Sequence, residues 1–315
     1  MFFSSLLNAA PGAIAQGMLW GIMAIGVYIT YRILDVADLT VDGSLATGGA
    51  VCIMLMRSGC NPWIALLCAF LVGMLAGMVT GLLHTRCGIP AILAGILTQL
   101  ALYSVNLRIM GKANQPINAN NYKLLVSSRN VKVLSVENPI LVVGIVCLVV
   151  IALLYWFFGT ELGCALRSTG SNPAMSRAQG INIDRMKVIG LSLSNGVVAL
   201  SGGLMTQFQG TADVSMGRGA IVIGLASIVI GEVFCEAIFK KGCNFYVKLL
   251  FVVLGGVLYY MVMTLILWLR LDPNDLKLFT ALIVALFLAV PYLQKQSRSS
   301  FSRAKKRGQK EAIGQ

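Results

Sequence analysis

Residues 139–187 read Pro139-Ile-Leu-Val-Val-Gly-Ile-Val-Cys-Leu-Val-Val-Ile-Ala-Leu-Leu-Tyr-Trp-Phe-Phe158, then Gly159-Thr-Glu161-Leu-Gly-Cys-Ala-Leu-Arg167-Ser-Thr-Gly170-Ser-Asn-Pro-Ala-Met-Ser-Arg177-Ala-Gln-Gly180-Ile-Asn-Ile-Asp-Arg185-Met-Lys187. The first half is an uncharged apolar run of roughly 20 residues, the length an α-helix needs to cross a hydrocarbon core of about 30 Å. The second half is too polar to lie in lipid and too short to be a domain. A compact polar helix pair between membrane spans is a natural docking surface for a soluble partner.

Further apolar runs stand on both sides. The pattern predicts spans at about 13–31, 39–56, 62–83, 89–110, 139–158, 187–207, 217–239, 247–269 and 276–293. The fold class expected is all-α: a polytopic membrane bundle of about nine transmembrane helices. A β-barrel is excluded because the runs are continuously apolar and do not alternate. The 315 residues are 57% hydrophobic and 12% charged, with mean hydropathy +0.81. Soluble domains carry about 25% charged residues. One transmembrane domain is expected over 1–293, with the polar segment at 159–187, followed by a basic tail at 294–315.

Net charge is +13, and much of the excess lies in that tail, at Lys295, Arg298, Arg303, Lys305, Lys306, Arg307 and Lys310 against Glu311. In a polytopic chain this reads as the positive-inside signal, able to lie on anionic lipid, and not as a nucleic-acid arm. A cytoplasmic tail and nine spans put the N-terminus outside. The loops with Arg86 and with Lys240, Lys241 and Lys248 then fall inside, as does the polar segment. The loop 111–138 falls outside despite Lys112, Lys123, Arg129 and Lys132. The first residues lack a basic region ahead of their apolar stretch, so no cleaved signal peptide is expected.

Eight cysteines are scattered without a CxxC or Cys/His cluster. They are expected to form no disulfide framework and no metal site. Small-residue pairs such as Gly48-Gly49, Gly202-Gly203 and Gly255-Gly256 suit close helix packing in lipid. Two short stretches look alike: Ala37-Asp-Leu-Thr-Val-Asp-Gly43 and Ala212-Asp-Val-Ser-Met-Gly-Arg-Gly219. By the deduced topology they lie at opposite sides, as in transporters built from inverted repeats with broken helices.

Catalytic and cofactor chemistry finds no residues here. The chain lacks a Gly-x4-Gly-Lys-Ser/Thr phosphate loop, so it does not hydrolyse ATP by that route. The single histidine, His84, sits at a span end and suits a capping or interfacial role. Charges within spans are few, and each is a functional hypothesis by default. Asp38 and Asp42 flank the start of the second span as expected caps. Glu232 and Glu236 are expected to make structural pairs. In the polar segment, Gly170 is expected to end a helix with positive φ. Asn172-Pro173 reads as an N-cap followed by proline at the first helical position. A helix of about two turns follows over 173–179, stopped by Gly180.

The pattern Gly163-x-Ala165-x-Arg167-x-x-Gly170-x-Asn172, seven residues, then Gly180-Ile-Asn resembles the coupling segment of membrane permeases from ATP-binding-cassette importers, in the branched-chain amino acid and ribose group. Asp38-Leu-Thr-Val-Asp-Gly-Ser44 resembles that group's Asp-Leu-Ser-Val-Gly-Ser, with Asp42 inserted, and Leu200-Ser-Gly-Gly203 resembles its Leu-Ala-Gly. Met175 and Gly231-Glu232 are further departures. The resemblance covers about residues 15–290, and the chain is expected to lack the first helix of ribose-type permeases. It implies a non-catalytic, homodimeric permease in a bacterial cytoplasmic membrane. Its partners would be a cytosolic ATPase, an extracytoplasmic solute-binding protein and membrane lipid. It places the ATPase interface at Ala165, Arg167, Gly170, Asn172, Arg177 and Gly180. The form of the Asp38–Ser44 stretch, with Pro273-Asn-Asp-Leu-Lys-Leu-Phe279, points within the group to amino acids, aromatic ones among them. Small and polar residues of the second and seventh spans, Thr40, Ser44, Thr47 and Ser227, are the candidates for the translocation pathway. An ion-coupled secondary carrier is the alternative, and a scaffold that recruits a soluble partner is a third reading. The importer reading is favoured by the coupling-like segment and by the lack of a midplane acid with a partner.

Overall fold

The computed structural model describes residues 2–117, 138–239 and 244–268, with parts of 122–131 and of 278–289. Helix α1 (Phe2–Tyr28) ends in a π-helical turn, Ile29–Ile33. Then come α2 (Val41–Arg57), α3 (Pro62–Thr85) and α4 (Ala91–Met110). A long helix α5 (Pro139–Gly159) leads into the short pair α6 (Glu161–Ser171) and α7 (Pro173–Ala178). Helices α8 (Ile183–Gln209), α9 (Ala220–Ile238) and α10 (Phe245–Trp268) follow. Seven helices among the described residues are long and apolar enough to cross a membrane. Helix α2, at 17 residues, is the short exception. At 1.5 Å per residue it spans about 25 Å, less than a hydrocarbon core. The expected span at 276–293 and the tail from 294 lie outside the described residues.

Each boundary has a local cause. Asn61 and Asn138 stand before Pro62 and Pro139, and their side chains accept from the backbone N–H groups of Trp63 and Ile140. Proline at the first helical position has no N–H to leave unsatisfied. Gly111 and Gly210 close α4 and α8 in the left-handed conformation. The all-α expectation needs one small addition. Asn114–Pro116 and Thr211–Asp213 pair as antiparallel strands β1 and β2, tying the far ends of α4 and α8 together.

Helix α8 is the hub. Its middle is buried on all sides, against α1, α2 and α3. Small residues let the backbones meet. A methyl added at Gly48 would overlap the Ala199 carbonyl, one at Gly202 the Leu45 carbonyl, and one at Gly77 the Leu191 carbonyl. In lipid, where apolar contact alone gives helices no reason to associate, such close approach is what binds them. The outer faces of α3, α4 and α5 carry exposed Leu67, Leu71, Leu75, Ile96, Leu100, Ile145 and Leu153. A water-facing surface of that kind would be a liability, whereas acyl chains cover it well.

The contacts orient the bundle. Helix α2 runs parallel to α8, with Ser44 beside Asn195 and Cys52 beside Gln207. Helix α1 runs opposite to α8, with Ser194 donating to the Gly26 carbonyl and Ser201 to the Leu19 carbonyl. Helix α9 runs with α1, as Gly224 lies against Val27 and Glu232 pairs with Arg32 at 2.8 Å. That ion pair meets the expectation of a structural role for Glu232. Helices α2 and α9 therefore run in opposite directions. The cysteine expectation needs a correction: Cys235 near the end of α9 is disulfide-bonded.

Candidate functional site

The polar segment folds as a helix pair at the end of the bundle where α1, α3, α5 and α9 finish. Thr160 caps α6 by accepting from the Gly163 N–H, and Asn172 caps α7 by accepting from the Met175 N–H at 3.1 Å. Gly180, with φ 81°, stops α7 as expected, and a side chain there would meet open space. Asn182 then caps α8 through the Arg185 N–H.

Gly170 differs from its expectation. It lies within α6, not beyond it, and its φ is not positive. A methyl there would overlap the carbonyl of Ile33, so its small size is set by the contact with the π-helical end of α1. Arg167 is also bound from within. It donates to the Phe158 carbonyl, and its guanidinium lies over the Phe158 ring at 5.8 Å and the Phe245 ring at 5.3 Å. The same arginine, with Tyr28, Arg32, Asp35 and Lys248, lines a recess of about 620 Å³ between α1, α6 and α10. Ala165 is half-buried, its carbonyl accepting from the Ser168 and Thr169 hydroxyls. Ser176 is buried against Ser168 at 3.1 Å and joins α7 to α6.

The six residues singled out from the sequence thus divide into two groups. Arg167 and Gly170 hold the segment against the bundle, and Ala165 lies half-buried within α6. Asn172, Arg177 and Gly180 lie on its outer surface, where every residue of 171–180 except Ser176 is exposed. Met175, singled out in the sequence only as a departure from the family pattern, is an apolar side chain 59% exposed on that surface. Its signal was a methionine in an otherwise polar stretch. His84 makes a second tie at this end, from Nδ1 to the Ile89 carbonyl at 2.8 Å and from Nε2 to Lys187 Nζ at 3.2 Å. That is the interfacial role expected of it.

A polar cluster lies inside the bundle. The chain leaves α1 at Ile33 and reaches α2 through a non-helical stretch whose Asp38 is 3% exposed. Asp38 Oδ1 accepts from the Thr40 N–H at 2.9 Å, a local turn ahead of the helix and not the helix cap expected of it, since Thr40 is itself the N-cap of α2. Its Oδ2 accepts from the Asn195 amide at 2.6 Å, and Asn195 Oδ1 accepts from the Ser44 hydroxyl at 2.7 Å. The Thr40 and Thr80 hydroxyls are 2.8 Å apart, and Thr80 donates to Thr98 at 3.0 Å. Irregular backbone at membrane depth requires such internal partners. Asp42 departs from its expectation. It caps not α2 but α9, accepting from the Gly219 N–H at 2.9 Å and the Ile221 N–H at 3.1 Å. The two look-alike stretches, expected at opposite sides, therefore touch, and the starts of α2 and α9 meet.

Of the pathway candidates, Thr40, Ser44, Thr47 and Ser227 are all fully buried. Thr40 and Ser44 belong to the polar cluster, and Thr47 donates to the Gly43 carbonyl one turn back. Ser227 stands apart, donating to the Ile223 carbonyl, with its own carbonyl packed on Gly255 of α10. The sequence assigned no role to Asn195, Thr80 or Thr98. A polar residue in mid-span was their signal.

Comparison with known proteins gives this geometry its context. The profile described as "Branched-chain amino acid transport system / permease component" matches residues 11–291. The chain is 40% identical over 283 residues to the tyrosine transport system permease protein of Clostridioides difficile (strain R20291), covering 90% of this chain and 91% of that one. It is 28% identical over 228 residues to the ribose import permease protein of Escherichia coli (strain K12), covering 71% and 69%. It is 25% identical over 230 residues to the probable branched-chain amino acid transport permease protein of Methanocaldococcus jannaschii, covering 70% and 72%. With the family profile matched over residues 11–291 and a relative 40% identical over nearly its whole length, the chain belongs to the permease-component family of branched-chain amino acid transport systems: a membrane-spanning, non-catalytic subunit of an ATP-binding-cassette importer, in which a separate subunit hydrolyses ATP.

Proposed function

We propose that α7 and its flanks form the surface on which the cytosolic ATPase docks. Asn172, Met175, Arg177 and Gly180 form the contact face, and Ala165, Arg167 and Gly170 brace it from behind. The observation that carries this reading is the exposure of 171–180 on a helix pair whose underside is locked by Ser176, Gly170 and Arg167. A rigid knob with an apolar tip and a free outer surface suits insertion into a groove on a soluble subunit. The end of the bundle that bears α6 and α7 is then cytoplasmic. ATP-driven closure of paired ATPases acts on two knobs at once, so the working permease is a homodimer.

The solute is a small polar molecule, an amino acid with an aromatic side chain in the first instance, delivered by an extracytoplasmic binding protein. The 40% identical relative, named for tyrosine transport, supports this choice over a sugar. Thr40, Ser44, Thr47 and Ser227 line the pathway when α2 and α9 move apart, and in the closed bundle they are covered.

The test is purification of the tagged chain from its native membrane in mild detergent, followed by tyrosine uptake in proteoliposomes. Recovery of a phosphate-loop ATPase and ATP-dependent uptake with a binding protein are expected. A chain that purifies alone and moves solute under an ion gradient would overturn the proposal.

A further inference from the structure

Four residues separate the end of α7 at Ala178 from the start of α8, which runs unbroken for 27 residues, from Ile183 to Gln209, through the centre of the bundle. Whatever displaces α7 displaces the near end of this rod. Midway along, Asn195 spends its whole side chain on two neighbours and its own helix. Its amide donates to Asp38 at 2.6 Å and to the Leu191 carbonyl at 2.9 Å, and its oxygen accepts from Ser44 at 2.7 Å. Asp38 and Ser44 bracket the start of α2. Between them, Asp42, the second residue of α2, holds the first N–H groups of α9 at 2.9 and 3.1 Å.

We infer that Asp38 is a positioning residue for transport: gripped by Asn195, it carries displacement of the α7–α8 unit to the start of α2, and Asp42 carries it on to the start of α9. The inference rests on the docking role proposed above for α7.

Three observations carry it. The joint is polar where packing alone would suffice, because α2 is already seated on α8 through Gly48, Ala199, Gly202 and Leu45. A polar bond in an apolar interface adds register, which sliding apolar contacts do not supply. The joint also sits where the chain is not helical, and broken helices in transporters are the elements with two arrangements. Finally, the contacts form one unbroken series from α7 to α9, a physical route with discrete bonds at each step. Thr40, Thr80 and Thr98 lie on the other side of the same joint and tie it to α3 and α4, which have no bond to α7 among the described residues.

The experiment uses the complete permease–ATPase complex in proteoliposomes and needs no knowledge of the solute. The exposed cysteines Cys60, Cys87 and Cys164 are changed to serine, and Arg218→Cys, in the exposed turn before α9, reports on that turn through its rate of thiol labelling. Trapping the ATPase with ATP and vanadate is expected to change the labelling rate by about tenfold in the otherwise wild-type chain. In Asp38→Asn the change is lost while ATP hydrolysis by the complex persists, because the amide offers one acceptor oxygen where the Thr40 N–H and the Asn195 amide each need one. The swap Asp38→Asn with Asn195→Asp restores the bonds to residue 38 and to Ser44 across the joint, giving up the one to the Leu191 carbonyl within α8, and brings back the labelling change. A merely structural role would not give this pattern of loss and rescue with hydrolysis retained.

A labelling change that survives Asp38→Asn, or that is absent from the wild-type background, overturns the relay. Should Asp38→Asn fail to insert, the swap must recover insertion and the labelling change together, and failure to do so overturns it as well. A wild-type chain that holds no ATPase overturns the docking reading and the relay with it, and is recognised separately at the purification step.

Discussion

Two glycines and a methionine show how much a single side chain decides at the α6–α7 surface. Gly170 has no room for a methyl, because the Ile33 carbonyl occupies that space. Gly170→Ala forces α6 away from α1, and overpacking of this kind costs about 1–3 kcal/mol. Thermal unfolding of the purified chain reads it as a lowered midpoint. Gly180→Ala has open space and a φ of 81°. Its cost is the left-handed backbone alone, about 1–2 kcal/mol, confined to the end of α7. A variant pair with equal effects would show that Gly170 is not in contact with α1. Met175 carries the opposite weight, since its side chain is 59% exposed. Met175→Asp is expected to leave insertion and unfolding unchanged and to weaken ATPase capture by about tenfold or more, as loss of a buried apolar anchor does at protein interfaces. Undiminished capture would move the contact off this face.

At the scale of elements, the small residues between α2 and α8 determine whether a short helix can stay in the bundle. Gly202→Ala and Gly48→Ala each set a methyl against a backbone carbonyl, which cannot rotate away. Both are expected to lower the unfolding midpoint in detergent, whereas Gly12→Ala, with no atom within 4 Å of the new methyl, is expected to leave it unchanged or raise it through better helix propensity. Equal effects at all three positions would remove the case for a backbone-to-backbone seat. The elements themselves were largely legible in the sequence, because apolar length and Asn-Pro caps act locally: Asn61, Asn138 and Asn172 do at their helices what their local sequence implies. What could not be read locally was which partner a residue meets across the fold. Gly170 looks like a helix terminator until the end of α1 is placed beside it. Asp42 looks like a cap for its own helix, and the helix it caps begins 177 positions later. Asn195 looks like one polar residue among several until Asp38 arrives at 2.6 Å from its amide. The coupling route proposed above consists of those long-range contacts, so the family pattern marked the proposed docking segment while the interior joint emerged only from the fold.

For the whole molecule the open physical question is which end of the bundle faces the cytoplasm, and three exposed cysteines answer it. Cys60 lies in the turn between α2 and α3, whereas Cys87 follows α3 and Cys164 lies on α6. The antiparallel course of α3 puts Cys60 at one end and Cys87 at the other. The bond between His84 and Lys187 joins the Cys87 end to the start of α8, beside α7. A membrane-impermeant maleimide applied to intact cells therefore separates the two orientations with single-cysteine variants. Docking of an ATPase at α7 requires Cys60 to label from outside, and Cys87 and Cys164 only after the membrane is opened. Basic residues agree with this assignment, since Arg86, Arg177, Arg185 and Lys187 cluster at the α7 end, where the positive-inside rule places them. The reverse labelling pattern would put the knob outside the cell, beyond reach of any ATP-hydrolysing subunit. Agreement would fix α1, α5 and α9 as running inward and α2, α8 and α10 as running outward. The two look-alike stretches would then lead their helices in opposite directions from a meeting point inside the membrane, the arrangement an alternating-access path between α2 and α9 requires.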